Sequence, residues 1–190
     1  SATLPAGLTF STTDGSISGT PTELSTATTY TVTATNTGGS DTATVTITVN
    51  AVAPSSLDYH PDTFVLSNGT AMTSVTPTIN GGDITSWTIS GTLPAGLTFS
   101  TTDGTISGTP TELSTSTTYT VTATNTGGSD TATVTITVND VGPNGLDYDP
   151  DSFILPNGTA MTSVTPTING GAIPSWAISP SLPAGLTFTT

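Results

Sequence analysis

The sequence LPAGLTFSTTDGTISGTPTE occupies Leu93–Glu112 and appears almost unchanged at Leu4–Glu23. Its first seven residues return once more at Leu182–Phe188. Both intervals between copies are 89 residues, from position 4 to 93 and from 93 to 182. A period of this length is too long for one turn of a solenoid and suits one small β-sandwich. The sequence therefore predicts a tandem array of β-modules.

A strict alternation of apolar residues and threonine follows this stretch in each complete copy. In the first copy the apolar positions are Tyr30, Val32, Ala34, Ala43, Val45, Ile47 and Val49, with threonine between most of them. A period of two places these side chains on one face of a strand and the threonines on the other. Asn36–Gly39 separates the two arms and tolerates a tight turn. The pattern predicts a long β-hairpin with one buried face.

One full repeat, Leu57–Asn139, lies in the middle of the chain. Its alternating segments predict strands at Thr63–Leu66, Met72–Thr78, Ile84–Ser90, Leu97–Ser100, Thr105–Ser107, Thr118–Thr124 and Thr131–Val138. Seven short strands with turns every 8–12 residues are typical of an immunoglobulin-like sandwich, in which a tryptophan such as Trp87 is often buried. Nothing has a helical period. The predicted fold class is all-β, with immunoglobulin-like sandwiches of about 89 residues in tandem.

The repeat divides the chain into three parts. Residues 1–52 are the C-terminal part of one module, 53–140 a complete module, and 141–190 the N-terminal part of a third. The predicted linkers are Ala51–Ser56 and Asp140–Gly145, each carrying a proline. Neither partial module can bury its apolar face alone. Either the chain is part of a longer array, or the tail of one subunit completes the head of the next.

The composition excludes several classes of partner and site. The 190 residues contain no lysine or arginine, thirteen Asp or Glu and one His, for a net charge of −13. This charge disfavours nucleic acid and anionic membranes as partners. No apolar run reaches the roughly 18 residues that cross a bilayer. The absence of cysteine rules out a disulfide scaffold and a cysteine-based redox or zinc site.

Four motifs of the complete repeat resemble those of a known family. They are Leu93–Leu97, Gly104–Pro110, Tyr119–Ala123 and Ala132–Val138. Together they resemble the putative-Ig modules, of cadherin-like or dystroglycan type, in the tandem repeats of large prokaryotic surface proteins. The resemblance implies a secreted structural or adhesive repeat, and hence an extracellular or cell-surface location.

The residues of a catalytic centre are missing from the sequence. The single histidine, His60, is replaced by Asp149 in the next copy, and a catalytic base would not alternate with an acid in this way. The serine and threonine hydroxyls have no lysine to activate them and no second histidine. We predict that the chain is not an enzyme and requires no cofactor.

Four carboxylates that could bind a metal ion lie at the second junction, in the second linker and the residues that follow it. Asp140, Asp147, Asp149 and Asp151 supply hard oxygen ligands of the kind that calcium prefers. The first linker has Ala51 and His60 in place of two of them. Some cadherin-like relatives bind calcium between modules, but this sequence lacks their DxNDN-type linker. Either these four residues bind calcium, or they are solvated turn carboxylates that bind no ion.

We therefore predict an extracellular structural protein whose modules form or extend a surface filament. The two copies at 4–50 and 93–139 differ only at Ser16/Thr105 and Ala27/Ser116, which suits units that each meet the same neighbour. The predicted partner is the chain itself, since its strand edges lack the lysines that usually block lateral pairing. The competing prediction is an adhesin stalk that recognises a carbohydrate or a host-surface protein, in which the loops of one end would vary between copies.

Overall fold

The computed structural model describes residues 3–189, and within them every regular element is a β-strand. The strands are β1 (Leu8–Phe10), β2 (Ile17–Gly19), β3 (Ser25–Asn36), β4 (Gly39–Val49), β5 (Ser55–Asp58), β6 (Thr63–Ser67), β7 (Thr78–Asn80), β8 (Ser86–Ile89), β9 (Leu97–Phe99), β10 (Ile106–Gly108), β11 (Ser114–Asn125), β12 (Gly128–Asn139), β13 (Asn144–Asp147) and β14 (Thr167–Asn169). The all-β prediction is confirmed.

The β11–β12 hairpin is the centre of the complete module, which we define as residues 55–139. It lies in a four-stranded sheet of order β6-β12-β11-β8. Strand β8 pairs antiparallel with β11, whereas β6 runs parallel to β12. The alternation in β11 and β12 is realised as predicted, because Val121, Val134 and Ile136 have no exposed surface and the threonines between them lie on the opposite face.

A second layer covers the apolar face of this sheet. It consists of the pairs β5–β7 and β9–β10, which a single bridge between Val75 and Ile106 supplements. The core between the layers contains Leu57, Tyr59, Phe64, Val75, Trp87, Leu97, Ile106, Tyr119, Val121, Ala123, Val134, Ile136 and Val138. Burial of these side chains is the main source of stability, since the chain has no disulfide.

Three elements predicted from the sequence, one strand and two linkers, have the wrong bounds. The strand predicted at Met72–Thr78 is irregular: Val75 forms an isolated bridge with Ile106, and a continuous strand begins only at Thr78. Pro77 has no amide to donate to a neighbouring strand. The predicted linker Ala51–Ser56 ends in strand β5, and Asp140–Gly145 likewise ends in β13. The first linker shows no alternation because Pro54 is its only buried residue.

The two partial modules repeat the pairing of the complete one. In residues 3–50, β3 and β4 pair in the same register as β11 and β12, with Tyr30 opposite Val45 as Tyr119 is opposite Val134. In residues 141–189, β13 and β14 repeat the β5–β7 pair. We call these segments the first half-module and the last half-module. No strand of one pairs with a strand of the other within the described residues.

Residues 3–189 contain no helix that could span a membrane.

Candidate functional site

His60 and its neighbour Tyr59 have unrelated environments. The Tyr59 hydroxyl is buried and donates a hydrogen bond to the carbonyl oxygen of Gly104. Burial, and to a lesser degree the charge of Asp103, raises the pKa of Tyr59. His60 is exposed and lines an open cleft of about 340 Å³ beside Phe64 and Leu66. Tyr59 therefore acts in packing, and the described contacts of His60 include no partner that could orient a proton transfer.

The four calcium candidates are placed in different surroundings. The side chain of Asp140 lies against Gly171, and its Oδ1 accepts a hydrogen bond from the amide of Val141 at 2.9 Å. Asp147 is in strand β13, where it pairs with Thr167. Asp149 and Asp151 are exposed in the segment that follows. Among residues 3–189 no three carboxylate or imidazole side chains come together as a metal site, and calcium binding remains a prediction.

The first linker is bound to the tip of the β11–β12 hairpin. The amide of Ala51 donates to Thr126 Oγ1 at 2.9 Å, and Asn125 Nδ2 donates to the carbonyl of Val52 at 2.8 Å. Gly82 also donates its amide to Val52 at 2.9 Å. Gly127 lies so close to the Ala51 carbonyl that a side chain at this position would overlap it. The linker thus follows a defined path over the complete module.

Sequence reasoning missed this contact. The sequence predicts only a turn at Asn36–Gly39, and Asn125–Gly128 is the identical segment of the second copy. The sequence carries no clear signal for it, because a Gly-Gly pair is also an ordinary feature of a hairpin turn. The second glycine has φ of +152°, whereas Gly127 is needed for the close approach of the linker backbone.

Asp130 connects the two layers of the complete module at its start. Its Oδ2 accepts a hydrogen bond from the amide of Leu57 in β5 at 2.9 Å, and its Oδ1 accepts one from the amide of Thr131, also at 2.9 Å. These two bonds hold the pKa of Asp130 below its ordinary value, and the bond from Leu57 has the larger effect. The equivalent Asp41 accepts a hydrogen bond from the amide of Thr42 at 2.8 Å, and among the described residues it accepts none that corresponds to that of Leu57.

This difference predicts a pH dependence. Because the folded-state pKa of Asp130 is lowered, its contribution to stability is complete above about pH 4 and is lost as the pH falls through the folded-state pKa. We expect Asp130→Asn to lower the urea midpoint at pH 7, because an amide has a single accepting oxygen and can keep only one of the two hydrogen bonds. The variant should also lose less further stability between pH 4 and pH 2, because an amide does not titrate in that range. Asp41→Asn is the matched control. Equal midpoints for the two variants at pH 7 would contradict the role of Asp130.

The half-modules expose the faces that the complete module buries. Val45 is 37% exposed, whereas its equivalent Val134 is 0% exposed. Leu146 and Phe153 are 55% and 42% exposed, against 7% and 9% for Leu57 and Phe64. An open cleft of about 400 Å³ in the first half-module is lined by Leu4, Leu24 and Tyr30 together with polar residues such as Glu23 and Thr28. Within residues 3–189 nothing covers these sheet faces.

A family comparison identifies the modules. The family described as "Putative Ig domain" matches residues 1–50 and 54–139. The chain belongs to this family. Its fold is therefore a tandem array of Ig-like modules, as the sequence motifs predicted. No curated protein sequence matches the chain.

Solved structures with the same kind of fold resemble the chain at low identity. A chimeric titin Z1Z2–Z1Z2 tandem is 23% identical with a TM-score of 0.36, over 60% of this chain and 65% of that one. Human Protocadherin-24 EC1-2 is 14% identical with a TM-score of 0.39, over 64% and 62%. Domains 3–5 of Drosophila OTK are 21% identical with a TM-score of 0.40, over 72% and 48%. The chain spans less than two thirds of each of these three structures.

Proposed function

We propose that this Ig-like chain is a structural, non-catalytic part of an extracellular protein, and that its modules form or extend a surface fibre. The observation that carries the proposal is the bound linker. Strand β4 ends at Val49, and two residues later Ala51 is hydrogen-bonded to the next module's hairpin. A connection this short, hydrogen-bonded at its far end, limits how far one module can rotate relative to the next. A spacer requires such stiffness, and an enzyme does not.

The near identity of the repeats supports the same function. The hairpin tip that receives the linker, Asn125–Gly128, has an identical counterpart at Asn36–Gly39. Each further copy would present the same receiving surface to the linker before it. Ig-like modules in general serve as extracellular adhesive or structural units, and a chain without lysine or arginine offers no cleavage site to trypsin-like proteases in that location.

Substitution of Gly127 tests the stiffness of the linker. We expect Gly127→Ala to displace the linker, because the added Cβ would overlap the Ala51 carbonyl and approach the Ala53 amide nitrogen within 2.8 Å. Loss of the bonds of Ala51 and Gly82 should speed their amide exchange by about two- to twelvefold, since each bond contributes about 0.5–1.5 kcal/mol. Small-angle X-ray scattering should show a broader range of particle sizes.

The matched control is Gly38→Ala in the first copy. A Cβ at Gly38 would meet only Asn36 Oδ1, at 3.2 Å, and no linker backbone. We expect this variant to scatter as the unsubstituted chain does. If the unsubstituted chain already scatters as a freely jointed string, the proposal that these modules hold a direction is wrong. Electron microscopy of the native material should show fibres with an axial repeat of one or two modules.

An adhesin is the second candidate function, and one observation favours it. The cleft of about 340 Å³ beside His60 lies in a stretch, residues 58–67, that differs between copies, with Asp149 at the equivalent position. Among the residues that line this cleft only His60 differs between the copies, and a change confined to the cleft mouth is what a recognition surface could show. Binding of the chain to a glycan array, and loss of that binding in His60→Ala, would favour this function over a fibre.

A further inference from the structure

A β-turn at Ser67–Thr70 follows strand β6 in the complete module. Its last amide, that of Thr70, donates a hydrogen bond to its first carbonyl at 3.1 Å, and Gly69, with φ of +75°, supplies the left-handed residue. The two amides between these ends donate to the carbonyls of Asn139 and Pro110, both at 2.8 Å. The turn is therefore held in a fixed place beside the end of β12.

The turn does not explain why its second residue is asparagine. Asn68 has no positive φ, so the backbone does not require asparagine at this position. Its Oδ1 is buried and meets no hydrogen-bond donor among residues 3–189. A buried acceptor without a partner lowers stability. The oxygen of the amide is turned inward, which directs Nδ2, on the other side of the same carbon, away from the interior.

The turn contains an acceptor sequence for N-linked glycosylation. Asn68, Gly69 and Thr70 form the tripeptide Asn-Gly-Thr. Gly69 and Thr70 are exposed, and nothing lies within 4 Å of the Cβ position of Gly69, so the outer side of the turn has room for a bulky group. The same tripeptide occurs 89 residues later at Asn157–Thr159, in a turn that the equivalent hydrogen bond closes at 3.2 Å.

This acceptor sequence lies at the end of an edge strand. Strand β6 is outermost in the sheet β6-β12-β11-β8, and Val65 in its middle is 70% exposed. Lysine or proline usually protects such an edge, and β6 contains neither. Asn68 directly follows the last residue of β6, so a hydrated glycan on it would keep a second strand away from this edge.

We propose that Asn68 is N-glycosylated and that its glycan protects the edge of β6 from lateral pairing. The sugar donor is an oligosaccharide joined to a lipid through a diphosphate. Nδ2 of Asn68 forms a bond to the anomeric carbon, the bond from that carbon to the diphosphate oxygen breaks, and the lipid diphosphate leaves. Nδ2 gives up one proton to a base of the transferase. This inference rests on the proposed extracellular function, because the transfer accompanies export.

Mass spectrometry of the native material, and of the chain secreted from a eukaryotic host, tests the site. The chain has only two glutamates, Glu23 and Glu112, so a glutamate-specific protease releases residues 24–112 as one fragment that contains Asn68. We expect this fragment to carry the mass of a glycan. After a glycoamidase removes the glycan, position 68 should be read as aspartate.

Two variants of Thr70 separate the modification from the fold. Thr70→Ala destroys the acceptor sequence and should abolish the glycan mass on residues 24–112, whereas Thr70→Ser keeps the sequence and should retain it. Light scattering should show that Thr70→Ala associates at a severalfold lower concentration than Thr70→Ser. Addition of Val65→Lys to Thr70→Ala should reverse this change, since lysine on β6 blocks pairing in place of the glycan.

Three results would overturn the proposal, each in a different way. If residues 24–112 of the native material carry no glycan, Asn68 is not a glycosylation site, even where the secretory host modifies it. If the mass persists in Thr70→Ala, the sugar is attached elsewhere. If Thr70→Ala and Thr70→Ser associate equally, the glycan does not protect the edge. The spacer function is tested separately, because the scattering of the Gly127→Ala pair does not depend on a glycan.

Discussion

We expect Val134→Asp to abolish the cooperative unfolding transition of the complete module, and Val45→Asp to leave that transition unchanged. The two valines occupy the same position of the repeat and face the same side of their hairpins. Only Val134 is enclosed, with 0% exposure against 37% for Val45. A carboxylate in a dry core costs several kcal/mol, which is comparable with the whole stability of about 5–15 kcal/mol of a small domain.

The fluorescence of Trp87 measures this transition. The chain has two tryptophans, so Trp87 is the only one in a Trp176→Phe background. A milder pair guards against a variant that never folds: Ile136→Val should lower stability by about 0.5–1.5 kcal/mol, and Ile47→Val should leave the Trp87 transition in place. Similar melting of the Val134→Asp and Val45→Asp chains would contradict the two-layer packing described here.

The second large effect is expected at Gly104, which lies beside Tyr59, Trp87 and Pro77. Its carbonyl accepts the Tyr59 hydroxyl, and a Cβ at this position would lie 2.6 Å and 2.7 Å from two ring carbons of Trp87. Its φ is +76°, in the left-handed region. Gly104→Ala therefore combines backbone strain with overpacking, and we expect the second effect alone to lower stability by about 1–3 kcal/mol.

Gly69→Ala separates the two effects within the same module. Gly69 has φ of +75°, yet nothing lies within 4 Å of its Cβ position. Both variants carry the same strain, and only Gly104→Ala displaces Trp87. For a domain of this size the difference should lower the melting temperature of Gly104→Ala by at least about 4 °C relative to Gly69→Ala. Equal melting temperatures would show that the Trp87 ring accommodates a methyl group without cost.

The Ig-like fold could be predicted from the sequence because its two signals are local. Alternation along β11 and β12 identifies the buried face, and the 89-residue interval identifies the unit. Trp87 was expected in the core and lies there. Strand β5 was missed and β7 was misplaced, since each contributes too few positions for a period to be seen; β9 and β10 are as short but overlap predicted strands.

The candidate site could be predicted only in part. The sequence shows that both ends of the chain hold partial modules, so unpaired apolar faces were expected. It does not show that the first linker is bound to Asn125 and Thr126, because those partners are more than 70 positions apart in the chain. The carboxylates at the second junction are close together in the sequence and were predicted as one cluster. In the structure Asp140 accepts a hydrogen bond from Val141, whereas Asp147 pairs with Thr167.

The sequence by itself determined the repeat, the fold class and the face of each strand that seeks burial, because these depend on neighbouring residues and on the two-residue period of a β-strand. Tertiary structure alone decided which of two nearly identical copies is buried. Val45 and Val134 share their local sequence and their hairpin register, and they differ because a covering segment that begins near Leu57 reaches only the second hairpin. Burial depends on what packs from elsewhere in the chain, and local sequence cannot specify that.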